Sequence, residues 1–586
     1  MKNINLDNLR HSTSHLLAAS VMELWPDAKR TIGPSIENGF YFDFDFGEIK
    51  VTEADFEKIE NKMHEIVKTW NGFDKHELTS EEAKEQYPNN PYKHELIDEF
   101  SENGKKKVSF YKSGNYWDLC LGGHVKSPKD EIKYFKLLSV AGAYWKGSEK
   151  NKMLTRIYGT VFPTQKELDE FLTKTKLEKE NDHRIIGKNL SLFVFSDLVG
   201  SGLPLFTERG AAIRRELERF VQDEELRRDY KHVVTPPLAK TDLYKVSGHY
   251  PYYKDTMYPV MKVDEDELIL RPMTCPHHFM LYKSQPRSYK ELPIRYAELS
   301  PQFRYEKSGE LSGLMRVRVF CLADAHIFVR QKQATDVIKE VLELIDYISS
   351  KLGLIKGIDY RYQLSLGDRS DDKKYYKDDK AWENAENILR NVLVKSKSPF
   401  YEAKGEAAFY GPKIDIQMKK LSGKEETAFT VQYDFVMPKR FELKYINEKG
   451  KDEEPVVIHR SSIGAIERVM ALLIEKYAGN FPTWLTPIQV RILPISKKHL
   501  LYASEILKKL RNEDIRAEVD NKNETLNSKI RDAQLEKIAY MIIVGDNEIK
   551  EDTVSIRSRS GKDLGSQKLD EFIKNIKYEI DNKIIN

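Results

Sequence analysis

Two histidines four residues apart, His11 and His15 in HSTSH, stand near the start of the chain. Far downstream, Cys120 and His124 are separated by three residues in WDLCLGGHV. Helix positions four apart share a face, so His11 and His15 project together. Leu9, Leu16, Leu17 and Leu24 mark the apolar stripe of that helix, and the two histidines lie roughly opposite it. Imidazoles and a thiol in such numbers either bind zinc or line a pocket and handle protons around a bound water. Either pair alone is as readily a chance spacing; both pairs within one segment are far more specific.

A second set lies in FRYEKSGELSGLMRVRVF, where Arg304 and Glu306 precede a glycine-containing loop and Arg316, Arg318 and Phe320 follow it. A strand–loop–strand hairpin brings Arg304 and Phe320 close across the pair. Such a trio suits a nucleotide: guanidinium for phosphate, carboxylate for the adenine amino group, ring for stacking. As bare charges these residues read more readily as a solvated hairpin; the order F-R-x-E, loop, R-x-R-x-F is what points to a nucleotide. A third set is dispersed: Cys275 in RPMTCPHH, His326 in LADAHIF and His459 in PVVIHRSS, each within or beside a predicted strand. Spacing proves no site from three distant elements, and singly each is more often structural than a ligand.

These residues need elements to position them. The first segment opens with an amphipathic helix, expected to be capped by Asp7 and stopped before Pro26. GPSIENGFYFDFDFG and SVAGAYWKG read as strands and turns. TQKELDEFLTKTKLEKENDHR is charged and helical, opens with Thr164 and Glu167 in capping-box spacing, and reads as one connecting helix. From about Leu190 to Phe481, long helices mix with β-rich runs (LPIRYAELS, MRVRVF, EPVVIHR) without regular alternation, which favours an antiparallel α+β domain. The tail alternates strand and helix (IQVRILPI, KKHLLYASEILKKLRNE, IRAEVD, YMIIVG) and reads as a small α/β domain. The expected fold is thus α+β and multidomain, with boundaries at 1–163, 164–189, 190–483 and 484–586.

Composition sets outer limits. The 586 residues exceed what one core organises, and 40% hydrophobic with 32% charged residues describes a globular chain. No apolar run spans a bilayer, and MKNINLDNLR is no secretory signal, so a cytoplasmic protein is expected. With 95 basic and 92 acidic residues, bulk charge neither supports nor excludes nucleic acid. Three cysteines far apart argue against a disulfide framework.

Taken with their flanking phrases, these sets resemble the threonyl-tRNA synthetase family along essentially the whole chain. The front segment resembles the editing domain shared by threonyl- and alanyl-tRNA synthetases, which implies that His11, His15, Cys120 and His124 hydrolyse tRNA charged with the wrong amino acid, usually serine. The hairpin resembles motif 2 of class II synthetases. GAAIRRELERFVQDEELRRDY with HVVTPPL would be motif 1, and GAIERVMALLIEKY, with Gly464 and Arg468, motif 3. The resemblance implies an antiparallel catalytic sheet in which Arg304 binds the α-phosphate, Glu306 reads adenine, Arg316 joins the ATP site, Phe320 stacks and Arg468 clamps ATP with its Mg2+. It further implies that Cys275, His326 and His459 hold one zinc, and that Asp324, Tyr410 and Gln432 line the L-threonine pocket. The last hundred residues resemble an anticodon-binding domain; separately, Arg557 and Arg559 alternate on a predicted strand, so they are expected to share one face that is either open to RNA or simply solvated. The implied partners are tRNA(Thr) and a second copy in a homodimer, with no membrane.

There are departures from the family pattern. Leu121 and Gly123 replace Arg and Pro in the CRGPH stretch; Leu322 and Thr427 stand where Gln is expected; His277 replaces Gly after Cys-Pro and is itself an alternative ligand. The small ubiquitin-like domain that commonly precedes the editing domain is not expected here. Two other readings remain: a tRNA-binding regulator without activation, against which the Arg304, Glu306, Phe320 and Arg468 set argues, and a protein that retains only deacylation, against which Cys275, His326 and His459 argue.

Overall fold

The structure is a computed structural model that describes residues 5–102, 107–371, 373–420 and 423–585. The chain forms two compact units, 1–176 and 177–586.

In the first unit, helix Leu6–Leu24 begins with Asn5, whose Oδ1 accepts the Asp7 and Asn8 N–H groups at 3.0 and 3.2 Å. Such a cap is worth about 1 kcal/mol. Asp7, the expected cap, instead lies in the first turn, where its charge still suits the positive end of the helix dipole. The helix packs on a five-stranded antiparallel sheet in which Gly39–Asp45 pairs with Met153–Phe162, and that strand with Tyr134–Tyr144. Alternation in FYFDFD sends Phe40, Phe42 and Phe44 into one core with Leu9, Leu16, Leu17 and Val21. A smaller sheet, Asp74–Thr79, Lys107–Ser113 and Tyr116–Leu119, delivers Cys120 at its exit.

The stretch expected as one connecting helix is two, Gln165–Glu180 and His183–Asn189. Thr164 and Glu167 cap the first as their spacing predicts. Asp182 breaks the run because its carboxylate accepts the Arg184 N–H at 2.8 Å and starts the second helix.

The second unit is built on an eight-stranded sheet. Its order is Lys231–His232, Ile294–Phe303, Val319–Val329, Val456–Ala465, Glu425–Asp434, Lys413–Lys419, Tyr360–Leu366 and Phe400–Lys404. The interior pairs are antiparallel and both edge pairs are parallel. Helix Ala334–Lys351 buries Val337, Ile338, Val341, Leu342, Ile345 and Ile348 against the sheet, at roughly 1.5–3 kcal/mol per fully buried side chain. Helices Glu208–Leu226 and Ile466–Tyr477 join the same core. MRVRVF is only partly strand, since Met315–Arg318 stays in the loop and pairing begins at Val319.

Residues beyond 488 form a five-stranded sheet, Ala517–Val519, Val490–Pro494, Tyr540–Val544, Val554–Ser558 and Asp563–Gln567, whose first three strands are parallel. The expectation that Arg557 and Arg559 share a face open to RNA does not hold. The strand ends at Ser558, and Arg559 turns inward to donate to the Phe481 carbonyl at 2.8 Å. Among the described residues no helix is long and apolar enough to cross a membrane.

Candidate functional site

In the first unit His11, His15, Cys120 and His124 converge, with their ligand atoms all within 4.8 Å of one another. His11 Nε2 is 3.0 Å from Cys120 Sγ, which is 3.4 Å from His124 Nε2. Ser12 Oγ sits 3.3 Å from His124 Nδ1 and accepts the Val125 N–H at 3.0 Å, so the helix holds the loop as well as the pocket. Phe73 stacks on His124 at 3.9 Å between ring centroids. The Cys120–His124 turn runs through Gly122 and Gly123 at φ of 103° and 89°. A Cβ on Gly122 would lie 2.6 Å from the Tyr111 hydroxyl. Proline fixes φ near −65°, so the backbone at Gly123 excludes the family's Pro. Leu121, in place of Arg, is 72% exposed.

Burial sets the protonation of this pocket. It pulls His11 below its ordinary value and His15 well below it, and brings His124 down to about 3. The Cys120 thiol goes up to about 11 for the same reason. At neutral pH the pocket is therefore three neutral imidazoles and a thiol. Beneath it lie three residues that the sequence reading missed. Asp118 receives Lys93 Nζ at 2.8 Å and Arg30 Nε at 3.2 Å, and Lys93 and Asp118 are both buried. Burial opposes the Asp118 charge, but Lys93 and Arg30 hold the carboxyl well below its usual range. No spacing rule links positions 30, 93 and 118.

In the second unit a cleft of about 690 Å³ is lined by Cys275, Arg304, Glu306, Arg316, Phe320, Leu322, Asp324, His326, Tyr410, Thr427, Gln432, His459 and Arg468. Arg304 follows strand Ile294–Phe303, and its guanidinium sits 5.1 Å from the Phe320 ring centroid across the hairpin. Glu306 is ion-paired to Arg316 at 2.7 Å. Arg468 reaches over from helix Ile466–Tyr477 and donates to the carbonyls of Met315 and Thr427 at 3.2 and 2.9 Å. Burial lowers the pKa of both Arg304 and Arg468, and Arg304 pushes Arg468 down further. Two buried guanidiniums lining one cleft suit a polyanion. Gly464 sits at φ +80°, and a Cβ there would meet the Ala428 carbonyl oxygen at 2.4 Å.

At the inner end Cys275, His326 and His459 bring their ligand atoms within 4.8 Å. Cys275 opens helix Cys275–Lys283 rather than flanking a strand, while His326 and His459 are cross-strand partners. With His278 neutral, hydrogen-bond partners assign a tautomer to each imidazole. His278 donates from Nε2 to Glu298 at 3.2 Å, so its bare Nδ1 accepts from His326 Nδ1 at 2.8 Å, which leaves His326 Nε2 with a lone pair. His459 donates from Nε2 to Asp434 at 2.9 Å, which leaves Nδ1. His277 is not part of the group; its ring packs against Tyr244 at 6.2 Å, and His278 is the neighbour that supports His326.

Around this end, Gln302 donates to Asp324 at 3.3 Å and accepts from Arg304 at 3.3 Å. Burial raises the pKa of Asp324. Tyr410 donates to Gln432, and its ring stacks on His459 at 5.2 Å. His249 also lines the cleft, with Nδ1 on Ser247 at 2.8 Å and burial taking its pKa to about 3. Gln302 and His249 had no signal in the sequence, because neither lies in a motif with chemical spacing.

This antiparallel sheet with its arginine-lined hairpin cleft defines a class II aminoacyl-tRNA synthetase. Residues 258–477 match the class II core domain family for G, H, P, S and T, residues 489–579 the anticodon binding domain family, and residues 108–158 the threonyl and alanyl tRNA synthetase second additional domain. The chain is 49% identical over 578 residues to the threonine–tRNA ligase of Anoxybacillus flavithermus, covering 98% of this chain and 89% of that one. It is 48% identical over 577 residues to that of Staphylococcus carnosus, covering 98% and 88%. The solved RNA-binding domain of threonyl-tRNA synthetase from Cryptosporidium parvum Iowa II superposes with a TM-score of 0.64 at 35% identity, covering 68% of this chain and 98% of that one. The chain belongs to the threonine–tRNA ligase family.

Proposed function

We propose that this ligase selects threonine at a zinc held by Cys275, His326 and His459, and clears mischarged tRNA at the His11, His15, Cys120 and His124 pocket. The single observation that carries this is the convergence of a thiol and two imidazoles at the inner end of the arginine-lined cleft. The donor set fits zinc: each imidazole turns its second nitrogen to a hydrogen-bonded partner, as metal-bound histidines do. When bound, zinc with three protein ligands leaves positions for the amino group and hydroxyl of threonine. Burial pushes the Cys275 thiol well up, so a thiolate there calls for a cation.

Around that point the chain's own residues divide the work. Asp324, whose burial disfavours its charge, gains from an ammonium partner and would hold the substrate amino group, while Tyr410 and Gln432 close the side-chain pocket. Arg304 and Arg468 would grip the triphosphate that arrives with Mg2+, Phe320 would stack on adenine, and Glu306, freed from Arg316, would read its amino group. The threonine carboxylate is itself the nucleophile toward the α-phosphate, so these residues act by placement and charge stabilisation.

A missing methyl gives only about 1–3 kcal/mol of discrimination, so serine enters the site and a second, hydrolytic pocket is needed. There the neutral imidazoles and thiol would orient a water rather than act as strong bases, since His124 holds a proton only below about 3. The proposed domains are 1–163 for editing, 164–189 as linker, 190–483 for catalysis and 484–586 for the anticodon, in a cytoplasmic homodimer acting on tRNA(Thr). The test is metal analysis of the purified chain together with threonine-dependent ATP–pyrophosphate exchange. About one zinc per subunit with exchange supports the reading; exchange without zinc contradicts it.

A further inference from the structure

A third cluster, Asp182, His183 and Glu475, lies outside both proposed sites, and its ligand atoms are also within 4.8 Å. It is not a metal centre, because its donors are spent. Asp182 caps helix His183–Asn189 and takes Arg184 Nε at 2.9 Å and Nη2 at 2.5 Å. Both nitrogens of His183, whose side chain is 3% exposed, are also engaged. Nε2 accepts the Leu314 N–H at 3.1 Å, so the ring proton is on Nδ1, which donates to Glu475 Oε1 at 2.7 Å. This tautomer is the one that fits, since a proton on Nε2 would face another N–H.

The two partners are telling. Leu314 lies in the loop that carries Glu306 and Arg316, and Glu475 lies on helix Ile466–Tyr477, which carries Arg468. Arg468 in turn holds the carbonyl of Met315, the next residue after Leu314. The loop is thus pinned to one helix twice in adjacent residues, once directly by Arg468 and once through the His183 ring. Gly313 leaves room for this: it sits at φ +49°, and a Cβ there would lie 2.2 Å from His183 Nε2.

We propose that His183 is a positioning residue for threonine activation, which fixes the loop's backbone so that Glu306 and Arg316 meet ATP in register with Arg468. This rests on the ATP-binding role proposed for that loop. The role calls for an acceptor at the distance of Nε2. Glutamine carries one at its ε position, whereas asparagine reaches only to the position of Nδ1.

The test compares His183→Ala, His183→Gln and His183→Asn in the full-length chain by ATP–pyrophosphate exchange and by amide hydrogen exchange of the peptide spanning 304–318. Loss of the anchor in the Ala and Asn variants is expected to raise the KM for ATP by about tenfold, the scale of one hydrogen bond, with the KM for threonine unchanged. The loop peptide exchanges faster in the same two variants. His183→Gln restores both readouts to within about twofold. If His183→Ala does not fold, the Gln–Asn contrast still decides the matter. Unchanged ATP KM and loop protection in Asn would overturn the proposal, as would Gln and Asn behaving alike. A wild-type chain without exchange activity would sink the ATP-site reading, while loop protection would still test the anchor.

Discussion

His326 and His459 stand directly opposite each other on adjacent antiparallel strands, with ring centroids 4.6 Å apart and planes at 88°. Cross-strand register places the two imidazoles on one face of the sheet, and their outer partners His278 and Asp434 fix which nitrogen each presents. If these nitrogens hold zinc with Cys275, Cys275→Ser abolishes metal retention and threonine activation together. Asp434→Asn keeps the three ligands and lowers metal affinity by about 10–100-fold, the usual cost of losing an outer partner. Competition with a chelator, followed by metal analysis, reads both.

Editing at the His11, His15, Cys120 and His124 pocket, as proposed, carries a specific pH behaviour. With His124 lowered to about 3 and Cys120 raised to about 11, neither group changes its proton between about pH 5 and 9. Hydrolysis of Ser-tRNA(Thr) should therefore show no titration step from these two groups in that window. At pH 8 only about one thiol in a thousand is ionised, so iodoacetamide modifies Cys120 far more slowly than a free cysteine. His15→Ala leaves threonine charging intact and lets Ser-tRNA accumulate. A deacylation profile that rises through pH 8–9 together with fast alkylation would mean a thiolate nucleophile instead.

Gly464 predicts a steric phenotype. Alanine there would require both φ +80° and a Cβ 2.4 Å from the Ala428 carbonyl oxygen, so the start of helix Ile466–Tyr477 must shift. Arg468 shifts with it. Gly464→Ala should lower pyrophosphate exchange more than tenfold by raising the KM for ATP, since displacement by an ångström at a positioning residue costs on the order of a hundredfold.

Legibility in the sequence followed the range of the interactions. The two close-spaced pairs of the front pocket and the Arg304–Phe320 hairpin were readable because each pair sits within one or two local elements, and the aromatic run around Phe40, Phe42 and Phe44 read as strand. The antiparallel core and the tail's α/β alternation came from the same patterns. What was not readable was partnership across the chain. Asp118 with Lys93 and Arg30, His278 with Glu298, and Gln302 between Asp324 and Arg304 are created only when distant strands and helices pack together. The N-cap was misread by two residues, because Asn5 and Asp7 are both good caps and only the backbone entry chooses between them. Arg559 was misread because a strand that ends one residue early turns its side chain inward.

Arg460 and Glu225 form a buried pair at 2.7 Å that ties strand Val456–Ala465 to helix Glu208–Leu226. Burial opposes the Glu225 charge, but Arg460 brings its pKa below the ordinary value. A lowered folded-state pKa contributes stability that is present above the unfolded value and lost as pH falls through the folded one. Glu225→Ala should destabilise the 177–586 unit by about 3–5 kcal/mol at pH 7, because Arg460 is left buried without its partner. Replacing both residues with apolar side chains should cost much less. Denaturant midpoints of the single and double variants, compared at pH 7 and pH 4, give the coupling and its sign.

Amino-acid selection at the metal is tested most directly by ATP–pyrophosphate exchange with threonine, serine and valine side by side, with zinc measured in the same preparation. Selection at the metal predicts strong exchange with threonine and exchange with serine weaker by about 10–200-fold, the worth of one methyl. It predicts no measurable exchange with valine, which lacks the hydroxyl, and about one zinc per subunit. Valine activated as well as serine, or full threonine activity in zinc-free protein, would contradict selection by a metal held at Cys275, His326 and His459.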